Sequence, residues 1–454
     1  MRPSPPDELP RGRPAAIAAS AYPVRFPASR RRLEGEFTVE QSAWRLAVAY
    51  HCHRGLMRAI AGRLIGIPEF EVKIELAHHL YQHAEAATGI RKRVFELRCT
   101  DARLESARPP VAAAIAEGIA AAPGTPGLIA VLEGWTAALI ETHRDYCART
   151  SSLLDLPSVR TLTATLADLW AMAEWLAAAR AALTDAGIGA EEMARAQGET
   201  SPAVASLREA LERPDPWRTA EPAAPLPRSE RARACSRDDR LATFHHTRRY
   251  LIDDLPPIGR ELSPLDLSVI EGLRTQRDEL DAIETFANVL FDDDGHPFEF
   301  ELCLARFIWD EARHSETGQG ALARMGFDPF EIPCGIIGIN VRTDLPPLLA
   351  LTQISTFGEL NQVGGLRSTS REAYRAGDRE NGQVFDYIHA DEMLHVRAGR
   401  SWLARLAERD GTTVHRLEET ARTAAVQALH SAGIHGEDYL NRLSDRELAA
   451  LLGE

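Results

Sequence analysis

The sequence predicts an all-α protein made of two four-helix bundles joined by a Pro/Ala-rich linker. Three observations point there. Apolar residues recur at helical spacing on both sides of residues 198–257, and strand-type alternation is scarce. That central stretch has linker composition, with Arg213-Pro214-Asp215-Pro216 and the run Pro222 to Pro227. A shift of 229 residues also carries Gly66-Ile67-Pro68 onto Gly295-His296-Pro297, and Thr88-Gly89 onto Thr317-Gly318, without a gap. Two diverged copies of one unit would read this way. The expected organisation is a flexible Pro/Arg-rich arm at 1–37, a first bundle at 38–197, the linker at 198–257, and a second bundle with C-terminal helices at 258–454.

Each element has a local reason. Thr38-x-x-Gln41 reads as a capping box opening a helix to about Ile65. Gly66-Ile67-Pro68 breaks it, and Pro68 suits the first position of a second helix to about Arg98. Further helices are expected at about 126–150 and 158–185, then one short helix before the linker. Leu169-Trp170-Ala171-Met172-Ala173-Glu174-Trp175-Leu176 reads as bundle core, and Phe244 to Pro257 as extended or irregular chain. In the second half, Ser263-Pro264 starts a helix to about Asp292, which Asp293-Asp294-Gly295 ends. Pro297 opens the next, to Met325. The stretch Phe327 to Asp344 is long for a bundle connection, a length that often serves function. Pro346-Pro347 opens a third helix carrying Glu359, ended or kinked at Gly364-Gly365. A fourth runs from about Asp378 to Glu408, and two terminal helices come after it.

Composition narrows the function classes. The formal charge is −14, from 52 basic and 66 acidic residues. An acidic surface disfavours binding of nucleic acid or anionic lipid. Lys73 and Lys92 are the only lysines, which reads as genomic base composition. The six cysteines (Cys52, Cys99, Cys147, Cys235, Cys303, Cys334) are scattered, with no Cys-x-x-Cys. They read as reduced thiols of a cytoplasmic protein, not as disulfides or zinc ligands. No run of about 18 apolar residues suggests a membrane span, and Met1 to Arg32 lacks the apolar core of a signal peptide.

The chemistry lies in two short stretches, Asp310-Glu311-Ala312-Arg313-His314 and Asp391-Glu392-Met393-Leu394-His395. Positions three apart share a helix face, so each stretch aims a carboxylate and an imidazole at one point. Two such helices and one Glu from each of two others make a six-ligand cradle for two metal ions inside a four-helix bundle. Glu279 and Glu284 are the candidates on the first helix. They lie five residues apart, about 140° around the helix, so only one faces the core. Glu359 is the only acidic residue between Asp344 and Glu372. Four carboxylates balance two divalent cations, and mixed oxygen and imidazole ligation suits Fe(II) or Mn(II).

Asp278-Glu279-Leu280-Asp281-Ala282-Ile283 resembles the first-helix ligand motif of bacterioferritin-like proteins, which selects Glu279 and leaves Glu284 beside the ligands or in solvent. The series Glu279, Glu311-x-x-His314, Glu359, Glu392-x-x-His395 resembles, in order, the ligands of ferritin-like di-iron carboxylate proteins. The resemblance covers residues 264–410. Thr356, Ala376-Gly377-Asp378, Asp391-Glu392-x-x-His395-Val396 and Trp402 further resemble a bacterial ferritin-like family related to hydroxylases of a hypermodified tRNA adenosine. The resemblance implies that Glu311 and Glu392 bridge two irons, with His314, His395, Glu279 and Glu359 as terminal ligands. Asp310 and Asp391 would orient the imidazoles. The expected activity is that of an O₂-dependent non-heme di-iron oxidase or oxygenase acting on a small organic substrate. The chain has no recognisable reductase segment, so electrons come from an external donor or from the substrate. A ferroxidase, a tRNA hydroxylase and a manganese catalase are the alternatives, and a homodimer is compatible.

The first half carries a third Glu-x-x-His, Glu75-Leu76-Ala77-His78, with Gln82 and Glu85 on the same helix face. His51, His53, Glu141 and His143 could lie near it. Yet the 229-residue register sets Tyr50, Gln82 and Glu85 against Glu279, Glu311 and His314. The first bundle is therefore expected to be metal-free and to pack against the catalytic bundle or a second subunit.

Overall fold

The computed structural model describes residues 30–106, 109–212, 217, 237–244, 255–292 and 295–431. Among these the protein is all-α. Its one sheet is a two-residue parallel pair, β1 (Thr243–Phe244) with β2 (Cys334–Gly335). No helix among the described residues is long and apolar enough to cross a membrane. The five described cysteines are free thiols, and Cys235 lies outside the described residues.

The first half comprises α1 (Val39–Leu64), α2 (Phe70–Glu96), α3 (Asp101–Ser106), α4 (Pro110–Ala121), α5 (Gly124–Arg149), α6 (Leu156–Asp185) and α7 (Ala190–Leu211). The Thr38–Gln41 capping box is present. α2 starts at Phe70, two residues beyond Pro68, and its first N–H is capped from afar by Asp238 at 3.1 Å. Sequence spacing did not anticipate α3 or α4. α7 takes in residues 198–211, which the linker was expected to hold, because its apolar positions Leu207 and Ala210 are buried and the Ala210 carbonyl accepts from the Trp44 indole at 2.7 Å. Of the arm, residues 30–37 are tied to the end of α5 through Arg32 and Glu36, and residues 1–29 lie outside the described residues. On α6, Leu169, Met172 and Leu176 form the core face, but Trp170 is half-exposed. Helical periodicity puts Trp170 one position off the buried stripe.

The second half comprises α8 (Pro264–Arg277), α9 (Leu280–Asp292), α10 (Phe298–Arg324), α11 (Ile337–Arg342), α12 (Pro347–Gln353), α13 (Glu359–Ala376), α14 (Arg379–Arg409) and α15 (Val414–Ser431). The helix expected over 264–292 is broken at Asp278–Glu279, where the Ala282 N–H bonds the Glu279 carbonyl in a tighter turn. α13 runs straight through Gly364-Gly365. The 229-residue shift carries α2 onto 299–325, within one residue of α10.

The halves are not two tethered bundles. α2 lies beside α10 and α1 beside α9. One apolar core runs through both, from Leu56, Ile60 and Leu80 to Phe286, Phe307 and Leu351. Buried ion pairs cross the same junction. Arg54 and Arg58 hold Glu301, at 2.7 and 2.9 Å. Lys73 and Arg237 hold Glu284. Removing one partner of a buried pair costs about 3–5 kcal/mol, since the other charge is left stranded.

Inside the first half, three fully buried histidines from three helices form a chain. His53 lies 2.9 Å from His83 and 3.0 Å from His143, nitrogen to nitrogen. Burial drives their pKa values down, to about 3 for His83 and about 4 for His143, and the neighbouring imidazoles lower that of His53 further. They are neutral when folded, whereas a histidine in the unfolded chain titrates near 6.5. Below that value the unfolded chain binds more protons, so stability is lost as pH falls. Thermal and urea unfolding between pH 6.5 and 4.5 should show the wild type losing more stability than His143→Leu, the difference approaching about 1.4 kcal/mol per pH unit. Parallel pH profiles for the two proteins would contradict this.

Candidate metal centre

Each candidate ligand is placed by a specific local feature. Glu279 sits at the tight turn between α8 and α9. The flanking residues lock that turn: Asp278 accepts from the Gly335 N–H at 3.0 Å, and Asp281 from the Ile339 N–H at 3.1 Å. The fully buried Arg277 donates to the carbonyls of Pro329, Ile332 and Pro333. The long 327–344 connection is thus fastened to the turn that carries Glu279. Glu359 comes directly after a π-helical turn (Ile354–Gly358), and its N–H bonds the Ile354 carbonyl five residues back. Such a wide turn rotates the next helical residues about the axis, a device common at functional sites. Glu311 and His314 lie on α10, Glu392 and His395 on α14, each pair one turn apart.

All six residues are buried, and they converge in two overlapping groups. One is Glu279, Glu311, His314 and Glu392; the other is Glu311, Glu359, Glu392 and His395. Within each, one ligand atom per residue lies within 4.8 Å of every other. Glu311 and Glu392 belong to both. His314 Nδ1 lies 3.0 Å from Glu279, 3.4 Å from Glu311 and 3.3 Å from Glu392. His395 Nδ1 lies 2.9 Å from Glu311 and 3.8 Å from Glu359. Both oxygens of Glu311 and of Glu392, one each of Glu279 and Glu359, and His395 Nδ1 are buried without a hydrogen-bond partner. So many orphaned acceptors at one point fit a cation, because an unpartnered buried carboxylate is otherwise costly. These groups can hold a metal ion.

The imidazoles are braced crosswise. His395 Nε2 lies 3.3 Å from Asp310, on the opposite helix, and His314 Nε2 lies 3.4 Å from Asp391. Each brace puts the imidazole proton on Nε2 and leaves Nδ1 for the centre. Arg306 donates to Asp310 at 2.7 Å, and Arg313 reaches both Asp310 and Asp391. Phe307 packs on the His395 ring at 4.4 Å, giving the site a dry wall.

Electrostatics reflect this crowding. Burial and the neighbouring Glu311 raise the Glu279 pKa to about 8. Burial, with Glu359 and Glu311, raises that of Glu392. Burial also raises Glu311, but the two imidazoles outweigh it and hold it at about 2. Burial alone would discharge both histidines, yet the surrounding carboxylates reverse this and raise their pKa values. Without metal, the centre stores protons.

Glu284 takes no part. It is fully buried against Lys73 and Arg237, neither in solvent nor beside the ligands. Sequence reasoning did not foresee the inter-half role of Lys73, although one of only two lysines in the chain was a signal. Arg306 and Arg313 were also missed; their i−4 and i+3 spacing from Asp310 was legible. In the first half, His78 and His79 face Glu75 at 3.6 and 3.3 Å, Glu141 pairs with Arg208 at the surface, and His51 bonds the Leu104 carbonyl. Tyr50 bonds Glu105, and Glu85 bonds Tyr81. Among the described residues, ligand groups of this kind form only in the second half.

A cleft of about 400 Å³ lies between α10 and α14. His314, Asp391, Arg313, Arg324, Tyr387 and Ile388 are among the residues that line it. Comparison with protein-family models, with curated proteins and with solved structures finds no match for this chain.

Metal uptake must displace the stored protons. Titrating the metal-free protein with Fe(II) under anaerobic conditions at pH 7 should release protons, measurable from heats in buffers of different ionisation enthalpy. Apparent affinity should rise with pH through about 8, where Glu279 is half-deprotonated. Affinity independent of pH between 6 and 8 would contradict this protonation pattern.

Proposed function

We propose that this chain is an O₂-dependent non-heme di-iron oxidoreductase of the ferritin-like kind, an oxidase or oxygenase of a small organic substrate. The observation that carries the reading is the sharing of Glu311 and Glu392 between two ligand groups, the arrangement that two carboxylate-bridged metals require. Iron and manganese both suit the oxygen and imidazole set, and we assign iron. A bound pair would supply the site for binding and reducing O₂.

The residues then divide the work. Glu311 and Glu392, common to both ligand groups, would hold both metals, with Glu279 and His314 serving one and Glu359 and His395 the other. Asp310 and Asp391 fix the imidazole orientation through the Nε2 protons. Phe286 and Phe307 keep water from the centre, which strengthens electrostatic interactions there. The cleft beside His314 has the volume of a small-molecule site and is the substrate chamber we assign. The net charge of −14 weighs against a tRNA substrate. Electrons come from a separate donor or from the substrate.

Elemental analysis after anaerobic Fe(II) loading should give two irons per chain, and the reduced protein should consume O₂. Saturation at a single metal, or tetrahedral zinc, would sink the dinuclear reading. Among variants, Glu311→Ala and Glu392→Ala should lose paired metal binding and O₂ consumption, each by at least about 100-fold. Glu279→Ala should weaken the site, whereas Glu284→Ala should lower stability by about 3–5 kcal/mol while leaving metal stoichiometry at two. Loss of metal in Glu284→Ala with retention in Glu279→Ala would reverse the first-helix assignment.

A further inference from the structure

We infer that Tyr81, in the first half, is a positioning residue for the metal centre of the second. The inference rests on the metal-binding reading above. Tyr81 projects from α2 and stacks on Trp309 of α10, with ring centroids 4.7 Å apart and planes within 11°. Trp309 in turn supports two guanidiniums. Arg306 lies over its ring at 4.9 Å and Arg313 at 4.6 Å. These are the arginines that hold Asp310 and Asp391, and those aspartates brace His395 and His314. An unbroken set of contacts thus leads from a first-half side chain to both imidazoles.

Ordinary helix packing would explain a stacked aromatic pair between α2 and α10. Helix spacing alone brings Arg306 and Arg313, at i−3 and i+4 from Trp309, onto the indole; what Tyr81 adds is a partner from another helix that fixes the ring they rest on. Arg306 and Arg313 are each about one-third exposed, at 35% and 33%. Long cationic side chains at such exposure sample many rotamers unless a surface restrains them. The indole face is that surface, through cation–π contact. Tyr81 fixes the indole by offset stacking. The edge of His78 packs on the same ring at 6.5 Å, which gives the Glu75-Leu76-Ala77-His78 stretch a structural part in the support. The Tyr81 hydroxyl donates to Glu85 at 3.2 Å, on its own helix. Tyr81 also meets Arg306 directly, its hydroxyl accepting from the guanidinium, which lies 5.9 Å from the Tyr81 ring, so both ring and hydroxyl bear on the arginine that holds Asp310.

The first half therefore acts on metal affinity without offering a ligand. Groups that orient metal ligands typically change affinity 10–100-fold when removed. Tyr81 stands further out, so the lower end applies. The test is titration of the metal-free full-length chain with Co²⁺, followed by its ligand-field absorption, with thermal unfolding recorded alongside. Wild type should take up two Co²⁺. Tyr81→Ala should bind about tenfold more weakly with an altered absorption band, and Tyr81→Phe, which keeps the stack on Trp309 but not the contact with Arg306, should fall between it and wild type. Trp309→Leu keeps an apolar side chain on α10 but removes the surface under the arginines; it should weaken binding at least as much. Arg58→Met cuts a different contact across the same junction, about 15 Å along α10 from Glu311. It should lower the unfolding temperature and leave Co²⁺ affinity unchanged. Wild-type affinity in Tyr81→Ala and Trp309→Leu overturns the positioning role and leaves the dinuclear reading intact. So does an equal loss in Arg58→Met. Uptake of fewer than two Co²⁺ by wild type overturns the dinuclear reading itself, and this inference with it.

Discussion

Four carboxylates buried within reach of only two imidazoles set the central constraint on this protein. Such a cluster repels itself, and desolvation makes the repulsion worse. It persists only if protons or cations neutralise it and if the surrounding structure is stiff enough to hold it together. Much of the second half answers the second need. Arg277 and the Asp278–Asp281 pair clamp the turn at Glu279. The π-helical turn directs Glu359 inward. The crosswise aspartates tie α10 to α14 at the level of the ligands.

The first half serves the same end from outside. Its α1–α2 pair presents an apolar face to α9 and α10, and it contributes Arg54, Arg58 and Lys73 to carboxylates that would otherwise be stranded. Glu284 illustrates the division. It lies five residues from Glu279 but pairs with Lys73 of the other half, so the turn before α9 serves the metal centre and α9 itself serves the junction.

Helical class, the capping box at Thr38 and the six converging residues were legible in the sequence because their signals are local. A carboxylate and an imidazole three residues apart must share a helix face, whatever the tertiary fold. Features set by distant partners were not legible. Nothing near Asp238 says that it caps α2, and nothing near Asp310 says that it braces the histidine of the other motif. The break at Asp278–Glu279 depends on hydrogen bonds from residues more than fifty positions away. The Pro and Ala content of 198–211 hides a helix, because the apolar positions Leu207 and Ala210, which α7 buries, are too few to set a visible period. The buried histidine chain was partly visible as His53 and His143, but His83 joins it only through tertiary packing.

The shared core also bears on synthesis. During translation α2 is complete about 200 residues before α10 emerges, a delay of about 10–40 s at ordinary elongation rates. For that interval the nascent chain carries the apolar flank of α1 and α2, together with the cations Arg54, Arg58 and Lys73, uncovered. That surface is sticky in the crowded space around a ribosome, and it finds its cover only when the metal-binding helices arrive. The early half therefore completes its packing only once the late half has been made, and until then its exposed flank depends on other factors for protection.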